Sequence, residues 1–336
     1  MLDFDMQRID AHLHLLGDDG ATLALLDRLD LGLINVCVAL EADWRDRGGC
    51  SVQKYRALAE TRPDRYAWVT SFDVPRASDR DYGEKVIAGI DEDLALGAVG
   101  VKVWKNIGME ARKEDGGFIL VDDPLFEPIF RHLETVGTTL LMHIADPIAC
   151  WRPLCEENPH VEYYRANPQW HLHGRPEYPS HEQLIAARDR VVARHPRLRV
   201  VGAHLGSLEH DLPAVARRLE AYPNFAVDLS SRIVDLLRYD SDVVRRFLIR
   251  YADRVLFGTD VGGPRFLSEF TAEERTRQLN SWERNWRDGF SYFETSGPVN
   301  MAGTTAPGLG LPAAVVERLF LHNALHWYPA LQSRWQ

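Results

Sequence analysis

The chain has 336 residues, of which 45% are apolar and 26% are charged, and its formal net charge is −10. These values are typical of globular proteins and exclude a disordered or fibrous chain. A nucleic-acid partner is disfavoured because such surfaces need clustered Lys and Arg. The start of the chain lacks the basic and apolar stretches of a signal peptide, and no apolar run is long enough to span a membrane. We therefore expect a cytoplasmic protein without a membrane partner.

Eight short apolar runs, rich in β-branched residues, follow one another along the chain and predict buried parallel strands. They cover residues 8–15, 34–41, 66–74, 99–104, 138–145, 198–205, 225–230 and 255–260. Segments with helical periodicity alternate with them, at 21–31, 82–96, 124–136, 181–195, 212–222 and 241–251, and a last helix is expected at 311–327. This alternation predicts an α/β fold, a (β/α)8 TIM barrel formed as a single domain by residues 1–336. An open doubly wound sheet is less favoured, because no G-x-G-x-x-G motif follows the first strand.

Two connections are longer than ordinary loops between a strand and a helix. Residues 146–179 follow the fifth strand, and residues 261–311 follow the eighth. Both would lie at the carboxyl ends of the strands, where barrels of this kind carry their active sites. We expect them to form walls or lids of a substrate pocket.

Histidine and aspartate residues stand where several of the predicted strands end. His12 and His14 are two residues apart on the first strand, so both side chains can point to one face. His143, His204 and Asp260 end the fifth, sixth and eighth strands. One such histidine is more often a core residue, but imidazole and carboxylate groups that converge in this way are the usual ligands of a divalent cation.

These residues resemble the amidohydrolase superfamily, in particular the amidohydrolase-related branch that includes the aminocarboxymuconate semialdehyde decarboxylase-like enzymes. The resemblance rests on His12-x-His14, His143, GAHLGS around His204 and FGTD ending at Asp260. It implies that His12, His14, His143 and Asp260 hold one or two divalent ions, usually zinc, with manganese as an alternative. It also implies that His204 binds a second metal or polarises the substrate, that Asp260 carries a proton from bound water, and that the chain forms a homo-oligomer such as a dimer.

Lys102, on the fourth strand, matches the position at which binuclear members of this superfamily carry a carboxylated lysine that bridges two metals. A buried lysine can equally pair with an acid or bind substrate, so the metal count stays open. The candidates for substrate binding are Trp104 after the same strand, His173 and Arg175 in the fifth connection, and Asp228 and Arg232 after the seventh strand.

The leading functional hypothesis is a metal-dependent hydrolase, in which a metal-activated water attacks an ester, lactone or amide bond of a small organic molecule. The alternative is non-oxidative decarboxylation of an aromatic or unsaturated acid, which uses the same ligand residues and differs in pocket shape and proton delivery. A barrel that binds without catalysis is disfavoured, because a degraded site would have lost at least one ligand position.

Overall fold

Eight parallel strands form the centre of the molecule. The computed structural model describes residues 7–15, 20–39, 52–73, 81–262 and 267–335. Each strand pairs with the next one along the chain, in the order β1 to β8. The strands are β1 Arg8–Leu13, β2 Leu31–Val36, β3 Tyr66–Ser71, β4 Gly100–Val103, β5 Thr139–Met142, β6 Arg199–Gly202, β7 Phe225–Asp228 and β8 Val255–Leu256.

Helices lie between the strands and surround them. This is the arrangement of a (β/α)8 TIM barrel, as the sequence predicted. The α-helices of the described residues are Gly20–Leu29, Val52–Thr61, Tyr82–Ala95, Glu127–Val136, Val161–Ala166, His181–Arg194, Leu212–Ala221, Ile233–Leu236, Ser241–Arg250, Ala272–Glu294, Ala313–Glu317 and Asn323–Trp327, with two irregular helical turns at Asn106–Met109 and Ala203–Gly206. A π-helical turn, Arg318–His322, joins the last two.

The last strand is hydrogen-bonded to the first, which closes the barrel. The amide of Ala11 donates to the carbonyl of Phe257 at 2.9 Å, and the amide of Asp260 donates to the carbonyl of His12 at 2.8 Å. His14 also forms a parallel bridge with Gly262. These bonds bring the end of β1 against the segment after β8, so two parts of the chain about 250 residues apart meet at one edge of the barrel.

The amino-terminal end of the barrel is closed by the C-terminal segment. Trp327, Tyr328 and Trp335 are buried and pack with the interior side chains of the strands. A Cβ built on Gly100 would lie 3.1 Å from the Tyr328 ring, and one built on Gly32 would lie 3.3 Å from the Trp335 ring. The barrel is therefore filled from below, and a site can form only at the carboxyl ends of its strands.

The structure differs from the sequence-based expectation in several places. Strand β2 begins three residues earlier than predicted, and helix Val52–Thr61 was not predicted. Within the predicted long connection 261–311 lie the 23-residue helix Ala272–Glu294 and a β-hairpin of two strands, β9 Pro298–Met301 and β10 Thr304–Pro307. Among the described residues, no helix is long and apolar enough to cross a membrane.

Candidate active site

Three side chains from two neighbouring strand ends converge at the carboxyl end of the barrel. The Asp260 Oδ1 atom lies 3.3 Å from the His14 Nε2 atom and 3.8 Å from the His12 Nε2 atom. Within the described part of the chain, His12, His14 and Asp260 form one of two groups whose ligand atoms are close enough to share a cation, and the other is His12, His204 and Asp228. Both groups include His12.

The tautomer of His12 follows from its hydrogen bonds. Its Nδ1 atom lies 2.9 Å from the Asp228 Oδ2 atom, and carboxylates accept but do not donate when ionised. The proton therefore sits on Nδ1, and Nε2 keeps a lone pair. An imidazole held by a carboxylate on its other nitrogen is the usual arrangement of a metal-binding histidine. The Lys102 Nζ atom lies 3.2 Å from this His12 Nε2 atom.

His204 is oriented in a similar way. Its Nδ1 atom lies 2.9 Å from the Ser230 carbonyl oxygen, so Nδ1 donates and Nε2 carries the lone pair. The His143 Nδ1 atom lies 3.3 Å from this Nε2 atom. The Ser230 hydroxyl donates to Asp228 at 2.5 Å and approaches the Nδ1 atoms of His12 and His204. Asp228 and Ser230 therefore fix both imidazoles from below.

Burial and neighbouring groups set the charge states of the cluster formed by His12, His14, His143, His204 and Asp260. Burial lowers the pKa of His204 to about 3 and holds the pKa of His143 well below its ordinary value. Burial alone would raise the pKa of Asp260, but the hydrogen bond from His14 and the nearby His204 and His12 hold that pKa well below its usual range. His204 and His143 are thus neutral imidazoles beside an anionic Asp260 carboxylate, and these are the forms that bind metal ions.

Three residues of the cluster have left-handed backbone conformations. The φ angles are 59° at His204, 55° at Ser231 and 64° at Asp260. Non-glycine residues rarely adopt these angles, and such strain collects at functional sites. Hydrogen bonds maintain it: Asp228 accepts from the His204 amide at 2.9 Å, and the Ser231 hydroxyl donates to the Asp260 Oδ2 atom at 2.7 Å.

A family model described as amidohydrolase matches residues 9–330. The chain belongs to the amidohydrolase family. No curated protein sequence matches it. The family assignment agrees with the resemblance inferred from the strand-end residues, and it makes the protein an enzyme of the amidohydrolase superfamily.

Solved structures with the same fold include decarboxylases and a hydrolase. A 2,6-dihydroxybenzoate decarboxylase in complex with 2,6-dihydroxybenzoate has a TM-score of 0.54 and 16% identity, and the alignment covers 96% of this chain and 100% of that one. A dihydroxybenzoic acid decarboxylase from a Polaromonas species, with bound manganese and 2-nitroresorcinol, gives 0.53 and 14%, with 97% of each chain covered. A probable 2-pyrone-4,6-dicarboxylic acid hydrolase from Acinetobacter baumannii, with citric acid bound, gives 0.50 and 11%, with 96% and 100% covered.

The donor set of this amidohydrolase fits a divalent cation. His12 Nε2 and the His14 and Asp260 side chains face one another, and no rearrangement of the fold is needed to offer two imidazoles and one carboxylate. His143 lies beside His204, with its Nε2 atom 3.8 Å from the Asp146 Oδ1 atom. The structure thus brings His12, His14 and Asp260 together directly and connects His143 to them through His204.

The remaining sequence candidates of the amidohydrolase differ in their position relative to this cluster. Asp228 is buried beneath the imidazoles. Arg232 is also buried, donates to the Ser231 carbonyl at 3.1 Å and lies 3.5 Å from an Asp235 carboxylate oxygen. His173 and Arg175 are exposed and contact their own connection, through the Trp151 carbonyl and the Tyr178 ring respectively.

Sequence reasoning missed a buried ion pair next to the cluster. The Lys105 Nζ atom lies 2.6 Å from the Asp146 Oδ1 atom and 4.1 Å from the centre of the Trp170 ring. Trp104 packs edge-on against the same Trp170 ring. Lys105 stands three residues after Lys102 and therefore has the opposite strand parity. Asp146, the acidic partner of Lys105, is the first residue of the connection 146–179, and its position there is the sequence feature that could have identified the pair.

Asp10 and Ser230 were also missed. The Asp10 carboxylate accepts from the His12 amide at 3.2 Å, the Thr259 amide at 3.1 Å and the Trp286 indole at 2.8 Å. It therefore ties β1 to β8 and to the helix Ala272–Glu294. Asp10 stands two residues before His12, and Ser230 stands two residues after Asp228, so both belong to motifs that were already visible in the sequence.

Proposed function

We propose that this amidohydrolase is a metal-dependent hydrolase that cleaves an ester, lactone or amide bond of a small organic substrate. Zinc is the expected ion and manganese the alternative. The observation that carries the proposal is the carboxylate of Asp260, which is ionised, about a quarter exposed, and in contact with the Nε2 atoms of His14 and His12. Hydrolysis needs such a group, because a proton must leave the attacking water.

A divalent cation bound here would polarise the scissile carbonyl and make a water molecule more acidic. The residues of the chain supply the rest. Asp260 is held by the Ser231 hydroxyl on Oδ2, so Oδ1 is the oxygen that faces the imidazoles and can accept the proton. His204 keeps its proton on Nδ1 and offers a lone pair at Nε2, which favours a ligand role for a second ion over donation to a developing oxyanion.

Asp260→Asn tests the proposal. The amide cannot accept the proton from water, so we expect hydrolysis to fall by about 10²–10⁴-fold. Wild type and variant would be assayed on p-nitrophenyl esters, lactones and anilides, with thermal unfolding to confirm the fold and mass spectrometry to measure bound metal. Ser231→Ala is the matched control, since it removes the hydrogen bond to Asp260 and leaves the carboxylate in place. Turnover that is unchanged in Asp260→Asn would contradict the assignment.

The same experiment separates hydrolysis from decarboxylation. Two proteins with the same fold are decarboxylases of dihydroxybenzoates, so 2,6-dihydroxybenzoate is the probe for carbon dioxide release. Release of carbon dioxide without hydrolysis of any ester, lactone or anilide would replace the proposed function with decarboxylation. The metal content decides the role of Lys102: two ions per chain would support a carboxylated, bridging Lys102, and one ion would support an unmodified amine.

A further inference from the structure

A cavity of about 400 Å³ lies between Asp260, the helix Ala272–Glu294 and the β9–β10 hairpin. At one end it is lined by Asp260 and Ser231. Its apolar walls come from two places, the segment after β7 and the tip of the β9–β10 hairpin, through Ile233, Val234, Met301 and Ala302. Such a space can hold a small apolar or ring-shaped body next to the candidate metal site.

The opposite wall is one polar face of the helix Ala272–Glu294. Four residues of this helix line the cavity, and they are Ser281, Arg284, Asn285 and Asp288. Their spacing of three, one and three residues places them on a single face. The apolar side of the helix is buried instead, through Trp282, Trp286, Phe290 and Phe293. The orientation of the helix, and with it the polar face in the cavity, is therefore fixed by core packing.

Among the described residues that line this cavity, Arg284 is the one cationic side chain. Two other arginines of the helix are paired with glutamates: the guanidinium of Arg277 lies 2.6 Å from Glu273, and that of Arg287 lies 2.8 Å from Glu283. Asp288 is four residues after Arg284, yet no ion pair joins these two side chains among the described residues. Burial raises the pKa of Asp288, and the nearby charge of Arg284 offsets this rise only in part. Arg284 thus keeps its hydrogen-bond donors for a ligand.

We infer that Arg284 binds a carboxylate group of the substrate, and that the substrate is a small carboxylic acid with an apolar body lying between this carboxylate and the bond at Asp260. The inference rests on the proposed hydrolase function for the identity of that bond. A guanidinium offers two parallel N–H donors that match a carboxylate, and this geometry gives both affinity and orientation. In the hydrolysis, the hydroxyl of water bonds to the acyl carbon and the proton of water goes to the leaving oxygen or nitrogen. If the carboxylate that Arg284 binds is on the acyl side, the acyl product therefore carries two carboxylates.

Direct binding is the first test and does not depend on catalysis. Isothermal titration calorimetry would compare 3-phenylpropionate, its neutral amide and 3-phenylpropylamine on wild type, Arg284→Gln and Arg277→Gln. Arg277 and Arg284 are both exposed residues of the same helix, but Arg277 is paired with Glu273, so Arg277→Gln controls for the loss of one positive charge. We expect Arg284→Gln to weaken 3-phenylpropionate at least about tenfold, with little change in Arg277→Gln or for the neutral amide.

Steady-state kinetics then tests whether Arg284 binds the substrate carboxylate in the complex that reacts. For mono-p-nitrophenyl glutarate, Arg284→Gln should raise KM with kcat nearly unchanged, and the effect should vanish for the methyl ester of the same compound.

Equal binding of 3-phenylpropionate to wild type and Arg284→Gln would overturn the inference. Tighter binding of 3-phenylpropylamine that is lost in Asp288→Asn would overturn it as well, by making Asp288 the anchor. Binding through Arg284 without hydrolysis of any ester would retain the inference and remove the proposed function.

Discussion

Asp228 shows how one buried carboxylate can orient the histidines of a candidate metal site. It holds the Nδ1 atom of His12 at 2.9 Å and the amide of His204 at 2.9 Å, and it accepts from the Ser230 hydroxyl. Burial would raise the pKa of Asp228, but the neighbouring His12 and the Ser230 hydroxyl keep it well below the usual range. The carboxylate is therefore ionised and fixes the tautomer of His12.

We predict that Asp228→Asn weakens metal binding by about 10–100-fold, because loss of the carboxylate behind a metal-binding histidine typically has this effect. The amide nitrogen would meet the Nδ1–H group of His12, so the ring would have to rotate or move its proton to Nε2. Competition with a chelator would measure the affinity for zinc. Asp235→Asn, which changes a buried carboxylate next to Arg232, is the control, and equal zinc affinity in Asp228→Asn and wild type would contradict the prediction.

At the residue scale the sequence predicted which candidate ligands converge better than it predicted their hydrogen-bond partners. His12, His14 and Asp260 follow from strand parity and from the rule that parallel strands end on one face of a barrel. The functions of Asp228 and Ser230 depend on which ring nitrogen each of them meets, and strand spacing does not determine ring orientation. Arg284 was missed for another reason: its helix lies in a segment that was read as a loop.

The helix Ala272–Glu294 is the element that distinguishes this barrel from its sequence-based prediction. It begins with a capping box, in which the Thr271 hydroxyl accepts from the Glu274 amide at 3.2 Å and the Glu274 carboxylate accepts from the Thr271 amide at 2.8 Å. This arrangement satisfies two amides that would otherwise lack partners at the helix start. Because the helix carries Arg284 and a wall of the cavity, its first turn also supports the candidate substrate site.

We predict that Thr271→Ala lowers the free energy of unfolding by about 1 kcal/mol, the usual effect of removing such a cap. Urea unfolding would measure the change. Thr276→Ala, at another exposed threonine of the same helix, is the matched control, since its hydroxyl donates to the Ala272 carbonyl within the helix and caps nothing. Equal effects of the two substitutions would show that the capping box contributes no specific stability.

The elements that were predicted well have clear boundaries in the sequence, and those that were missed do not. Helix Leu212–Ala221 follows Asp211, whose side chain accepts from the Ala214 amide, and it was predicted within one residue. Helix Val52–Thr61 buries only Val52, Tyr55 and Ala59, so its apolar stripe is weak. Strand β2 begins at Leu31, directly after Asp30, and its start is set by pairing with β1, from Arg8 opposite Leu31, which the local sequence does not show.

At the scale of the whole molecule, the barrel separates stability from function. Its amino-terminal end is filled by aromatic residues of the C-terminal segment, and the Trp335 indole donates to the Pro63 carbonyl at 3.0 Å. Its carboxyl-terminal end holds the histidines and carboxylates, several of them buried without compensating charge. Such burial has a cost in acid, because buried neutral histidines must stay unprotonated while the unfolded chain is free to bind protons.

His181 makes this cost measurable away from the metal cluster. It is buried at the start of helix His181–Arg194, with its Nε2 atom 2.8 Å from the Ser207 carbonyl. Burial lowers its pKa from 6.5 to about 4. Between these values the unfolded chain binds a proton that the folded chain does not. The stability contributed by neutral His181 is therefore complete above pH 6.5 and is lost as the pH falls toward 4.

We predict that His181→Gln reduces the acid sensitivity of the fold by about 2 kcal/mol between pH 7 and pH 5, because glutamine can donate to Ser207 and does not titrate. Urea unfolding at both pH values would be measured in the presence of a chelator, so that loss of metal does not contribute. The exposed His322→Gln variant controls for the substitution itself. If wild type and His181→Gln lost the same stability between pH 7 and pH 5, the acid response would have to come from other buried histidines, of which His204 and His143 in the candidate metal site have pKa values lowered in the same direction.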